Sequence, residues 1–127
     1  MRLVLDTSVL IDHLRGRPPG ATELIPSAIA RGDELASSYV VRAELLAGMR
    51  ATEERATRDL LRLITWHEVD EVVSEAAGAL GRRYLASHPG IDVADLIVAA
   101  LVQHLDADLK TTNLKHFPMF KGLEAPY

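Results

Sequence analysis

Short apolar runs alternate with longer amphipathic stretches along this chain, and the alternation predicts strands separated by helices. Leu3-Val4-Leu5 makes residues 2–5 a short buried strand. Thr7 or Ser8 can then cap a helix to about residue 15, which Gly16-Arg17-Pro18-Pro19-Gly20 stops. A second helix is predicted over about 21–30, ended by Gly32, and residues 34–37 read as the second strand. Ser37 or Ser38 caps a third helix over about 40–50, and a fourth follows over about 53–63. Thr65-Trp66-His67-Glu68-Val69 alternates weakly as a third strand. Residues 71–87 form an Ala-rich helix closed by His88-Pro89-Gly90, and the densest apolar helix spans about 93–105. Residues 107–111 complete the set as a fourth strand, with a short turn or helix near 114–117. Strands alternating with helices predict an α/β fold with a parallel, helix-covered sheet, whose ligands belong at the C-terminal ends of the strands.

Four polar residues stand at the edges of these apolar segments: Asp6, Glu44, Asp95 and Asn113. An acid beside a core is costly unless it is hydrogen-bonded, paired or bound to a cation. Asp6 reads as an N-cap or a ligand. Thr7 and Ser8 offer two further capping oxygens, which frees Asp6 for the second role. Glu44 has Val40, Val41, Leu45 and Gly48 as helical neighbours and is expected among apolar or small side chains, with Arg42 and Arg50 on other faces. Asp92 and Asp95 have capping-box spacing, and the helix dipole should keep Asp95 ionised. Small Ala94, Ala99 and Ala100 would let that helix approach the sheet, bringing Asp95 towards the end of the first strand. Asn113 offers an amide oxygen but can equally shape its turn. His13, His67, His88, His104 and His116 show no metal-ligand spacing, and only His116 is held open as a functional residue.

At 127 residues, 48% hydrophobic and 25% charged, the chain suits one compact domain, 1–127, with a core of its own. The absence of cysteine excludes disulfide and thiolate-zinc scaffolds and fits a reducing compartment such as the cytoplasm. Met1-Arg2-Leu3-Val4-Leu5-Asp6 meets an acid too soon for a signal peptide, and no apolar run has membrane-spanning length, so no membrane partner is expected. A net charge of −4 argues against coating nucleic acid by bulk electrostatics. Two basic runs, Arg42, Arg50, Arg55, Arg58 and Arg62, and Lys110, Lys115 and Lys121, either meet phosphate or lie on solvated faces with pairs such as Glu54 and Arg58. Oxygen-only donors suit a hard divalent cation that keeps water and accepts phosphate, which points to phosphodiester hydrolysis.

The acids lie in Leu5-Asp6-Thr7-Ser8-Val9-Leu10, in Val41-Arg42-Ala43-Glu44-Leu45 with Gly48, and in Ile91-Asp92-Val93-Ala94-Asp95-Leu96-Ile97-Val98-Ala99-Ala100; Thr111-Thr112-Asn113-Leu114-Lys115-His116-Phe117 follows. With these segments in this order, nearly the whole chain resembles a PIN-domain ribonuclease, specifically a VapC-type toxin of a toxin–antitoxin pair. The resemblance implies a PIN-like, Rossmann-like three-layer fold with a central parallel sheet of four to five short strands. It implies that Asp6, Glu44 and Asp95 are the catalytic acids and hold Mg²⁺, for which Mn²⁺ can substitute, while Ser8 and Thr111 support them by hydrogen bonds. Asn113 departs from the pattern, because such proteins often carry a fourth acid in this segment; a tightly held second metal is thereby in question, with Asp92 or Asp108 as compensating candidates. Also implied are endonucleolytic cleavage of structured RNA such as tRNA or rRNA, inhibition of translation, a homodimer, and a VapB-type antitoxin that places an arginine in the acidic pocket.

Other chemistries fit less well. A receiver-type phosphoacceptor needs an adjacent acid pair after its first strand, and a haloacid-type phosphatase needs a second Asp where Ser8 stands. The remaining alternative is a catalytically inactive nuclease-like binding module.

Overall fold

Leu3, Val4 and Leu5 are almost completely shielded from solvent, the condition of a strand in the middle of a parallel sheet covered on both faces. A computed structural model describes residues 1–127. Its elements run β1 (Arg2–Leu5), α1 (Thr7–Arg15), α2 (Leu24–Ala30), β2 (Glu34–Ser38), α3 (Tyr39–Ala47), α4 (Glu54–Leu61), β3 (Thr65–His67), α5 (Glu71–Tyr84), α6 (Val93–Leu105) and β4 (Asp108–Lys110). Short 3₁₀ turns occupy Ala51–Glu53 and Leu114–His116.

All four strands are parallel, in the order β3-β2-β1-β4. Leu3 pairs with Leu35 on one side and Asp108 on the other, while Ser37 pairs with Trp66. The chain therefore builds outward from β1 through β2 to β3, then crosses back to place β4 on the other side of β1. That reversal falls between β1 and β4, the switch point where open α/β sheets leave a crevice beyond the strand C-termini. Asp6 and Thr111 lie just past those two ends.

The four-strand sheet realises the lower end of the expected count. Helix α6 has the expected bounds, and its run from Asp95 to Val102 is buried. Ala99 and Ala100 are fully enclosed, so α6 packs closely against β1, β2 and β4. Several other elements are shorter than expected. The third strand stops at His67, because its pairing partner β2 ends at Ser38; Val69 lies beyond the ladder. Strand β4 likewise covers only the residues that β1 can pair. Helix α2 starts at Leu24 because the chain first turns through Gly20, where φ is +91° and an added Cβ would stand 2.9 Å from Tyr127 Cβ. Helix α3 ends before Gly48, α4 begins as a 3₁₀ turn, and α5 ends at Tyr84.

Beyond β4, buried Phe117 stacks on Phe120 and the chain returns to α1, where the Tyr127 hydroxyl donates to Asp12 Oδ2. No helix is long and apolar enough to cross a membrane.

Candidate active site

Asp6 is the first residue past the central strand, and its N–H donates to Lys110 O at 3.0 Å, prolonging the β1–β4 pairing. It stands at the N-cap position of α1, but its side chain caps nothing. Its Oδ2 accepts the Thr111 hydroxyl at 2.7 Å and the Ser8 hydroxyl at 3.3 Å. Those hydroxyls are themselves committed: Ser8 Oγ accepts the Thr112 N–H at 3.1 Å, and Thr111 Oγ1 accepts the Asn113 N–H at 3.0 Å. The capping reading of Asp6 is thus replaced by a buried carboxylate gripped by two hydroxyls from opposite ends of the chain. Thr7 and Ser8 do not cap α1 either, since both hydroxyls are engaged elsewhere.

Asp95 is buried at the third position of α6, where the expected capping box is present: Asp92 Oδ1 accepts the Asp95 N–H at 2.9 Å and Asp95 Oδ2 accepts the Asp92 N–H at 3.1 Å. The same Oδ2 lies 3.1 Å from His116 Nδ1. Burial pushes the Asp95 carboxyl up to about 6, and the charges of Asp92 and Asp6 push it further the same way, against the pull of the Asp92 N–H and His116. Desolvation thus opposes the helix dipole that is expected to keep Asp95 ionised.

Glu44 also departs from expectation. Its neighbours on α3 are small, but Ala43, Ala47 and Gly48 are themselves exposed, so they leave the carboxylate uncovered rather than enclosing it. It is held from α1, where the Thr7 hydroxyl donates to Glu44 Oε1 at 2.8 Å. Sequence reasoning missed Thr7 in this role, since only the packing of α1 on α3 brings the two together.

One arrangement recurs. Each acid has one oxygen tied by protein donors, Asp6 Oδ2, Asp95 Oδ2 and Glu44 Oε1, while no protein donor reaches the other. The three do not close into a ready-made cage of protein ligands. Asn113 is not drawn towards them: its N–H serves Thr111, its side chain caps nothing, and it is exposed. Asp108 begins β4, paired with Leu3 below the sheet edge, so it does not compensate for a missing fourth acid.

A cleft of about 470 Å³ between β4 and residues 119–126 includes none of these acids. A smaller hollow of about 60 Å³ lies beside Glu44, with Arg15, Gly48 and Met49 on its wall. Of the basic run, Arg58 and Arg62 pair with Glu54 and Asp59, and Arg42 lies 5.5 Å from the Trp66 ring. Arg15, Arg50 and Arg55 form no ion pair.

Oxygen donors with one tied and one free lone-pair face suit Mg²⁺ or Mn²⁺, which keep several waters and share their coordination with phosphate instead of filling an all-protein cage. Because Thr111 fixes the tied oxygen of Asp6, Thr111→Val should weaken Mn²⁺ binding by about 10-fold or more, read by calorimetric titration.

Three comparisons bear on this arrangement. Residues 3–118 match the PIN domain family model. The chain is 45% identical over 124 residues to Ribonuclease VapC19 of Mycobacterium tuberculosis, covering 98% of each chain. It is 40% identical over 125 residues to Ribonuclease VapC10 of the same organism, covering 98% of this chain and 92% of that one. Among solved structures, a toxin–antitoxin complex from Klebsiella pneumoniae superposes with a TM-score of 0.78 at 25% identity, covering 98% of both chains.

Proposed function

Because this chain belongs to the PIN-domain family, in its VapC ribonuclease type, we propose that it is a Mg²⁺- or Mn²⁺-dependent endoribonuclease and the toxin of a toxin–antitoxin pair. The observation that carries the reading is the set of three carboxylates, Asp6, Glu44 and Asp95, each with one oxygen tied and one free.

In this mechanism Asp6 and Asp95 would hold the cation through their free oxygens, with exposed Glu44 as a further donor. The chemistry supplied on binding is charge neutralisation at the phosphate and a lowered pKa of attached water. Ser8 and Thr111 keep Asp6 in one rotamer, Thr7 does the same for Glu44, and Asp92 anchors Asp95 to the helix start. Pre-orientation of this kind avoids reorganisation at the moment of reaction. Unpaired Arg15, on the wall beside Glu44, and Lys115, beyond β4, are positioned to meet the RNA backbone.

The substrate proposed is structured RNA such as tRNA or rRNA, cleaved in the cytoplasm so that translation stops. A VapB-type antitoxin is the partner, and an arginine fork from it fits the free carboxylate oxygens. Exposed Val69, Leu85 and Val93 line one apolar groove on α5 and α6, which supports a homodimer built there. A single PIN domain over 1–127 is the unit that performs the reaction.

The test is incubation with a cellular RNA pool, with Mn²⁺ or with EDTA, followed by mapping of new ends. Discrete new ends with Mn²⁺ and none with EDTA are expected. Cleavage that persists in EDTA, or in both Asp6→Asn and Asp95→Asn proteins, would sink the mechanism. An inactive binding module would instead show no Mn²⁺ binding that depends on these carboxylates.

A further inference from the structure

The segment after β4 touches both buried acids. At its start, the Thr111 hydroxyl donates to Asp6 Oδ2 at 2.7 Å; at its end, His116 Nδ1 lies 3.1 Å from Asp95 Oδ2. The backbone between them is braced at three points. Asn113 N–H bonds Thr111 Oγ1 at 3.0 Å, His116 N–H bonds Asn113 O at 3.0 Å, and Phe117 N–H bonds Leu114 O at 3.2 Å. Phe117, next to His116, is buried and fixes this end of the segment in the core. The other edge of the His116 ring lies over Gly90, where an added Cβ would come within 3.7 Å of Nε2.

Resting on the reading above, we propose that His116 is a positioning residue for the metal site: with Thr111 it makes residues 111–116 a bracket that holds Asp6 and Asp95 by one oxygen each. One consequence follows for the cation: the free oxygen of Asp95 is aimed by the His116 contact on its twin, as the supporting groups around a metal aim its ligands.

The histidine thus does in this chain what a fourth acid would not do. It braces Asp95 by contact in place of adding a further ligand. Sequence reading held His116 open but had no spacing rule to connect it with Asp95, since the contact depends on the 3₁₀ turn at Leu114–His116.

The experiment is Mn²⁺ titration of the full chain followed by electron paramagnetic resonance, comparing the wild type with His116→Ala, His116→Asn and Asp6→Asn. Asn is chosen because its amide nitrogen stands where Nδ1 does. The wild type should bind Mn²⁺, His116→Ala should bind about 10-fold more weakly or worse, and His116→Asn should stay within about threefold of the wild type. Equal affinity in wild type and His116→Ala overturns the role, as does equal weakness of the Ala and Asn proteins. In those outcomes the nuclease reading stands so long as Asp6→Asn abolishes binding. A wild type that binds no Mn²⁺ overturns both.

Discussion

Asp6→Asn is expected to lower RNA cleavage by about 10³-fold or more while leaving the protein folded, the largest effect of any single change in this site. The reasoning starts from what asparagine preserves. Its amide oxygen can occupy the place of Oδ2 and still accept the Thr111 and Ser8 hydroxyls, so the β1–β4 crevice keeps its hydrogen bonds. What is lost is the negative charge and the free anionic oxygen, both required of a ligand to a hard cation. Glu44→Gln should cost less, because that acid is exposed and contributes from the rim. Single-turnover cleavage at saturating Mn²⁺, with melting temperature as the control on folding, reads the difference. A cleavage rate within tenfold of the wild type would remove Asp6 from the metal site.

The second large effect has opposite signs for activity and stability. Asp95→Asn should also abolish cleavage, yet it should stabilise the metal-free protein near neutral pH by on the order of 2 kcal/mol. Burial raises the Asp95 carboxyl from its ordinary 3.8 to about 6. Below pH about 4 the acid is protonated in both folded and unfolded chains, and its ionisation costs nothing. Between about 4 and 6 the unfolded chain gives up the proton first, so stability falls as pH rises; above about 6 the full penalty of a desolvated charge is present. Asparagine carries no such charge, and its amide oxygen can still accept from the Asp92 N–H. Urea unfolding in EDTA at pH 4 and pH 7.5 should therefore show the variant's advantage at the higher pH and little of it at the lower. An advantage independent of pH would show that desolvation of the charge is not its source.

The parts of this fold that sequence made legible are those encoded locally. Helix α6 announces itself through a continuous apolar run opened by Asp92 and Asp95, and the capping box forms between residues three apart. Strand lengths were not legible in the same way. How far β3 and β4 extend depends on where β2 and β1 stop, which is a property of the partner strand. The three acids could be singled out because each interrupts an apolar pattern, but their surroundings could not be read from that interruption. The helical neighbours Val40, Val41, Leu45 and Gly48 placed Glu44 among apolar or small side chains, yet its carboxylate is open to solvent. Thr7 looked like a cap and His116 had no assigned partner, because their contacts with Glu44 and Asp95 arise between elements distant in sequence.

The strand order also bears on when this site can form as the chain folds. The first strand to leave the ribosome ends up at the centre of the sheet, but one of its two neighbours is the last strand made. Asp6 must wait for a hydroxyl 105 residues downstream, and Asp95 for the turn that carries His116. A nascent chain that has not yet delivered β4 has neither acid held in place, and the cost of closing so long a loop is met only once the rest of the sheet is there to receive the strand. The order of the strands thus leaves the site unassembled until β4 has docked beside β1.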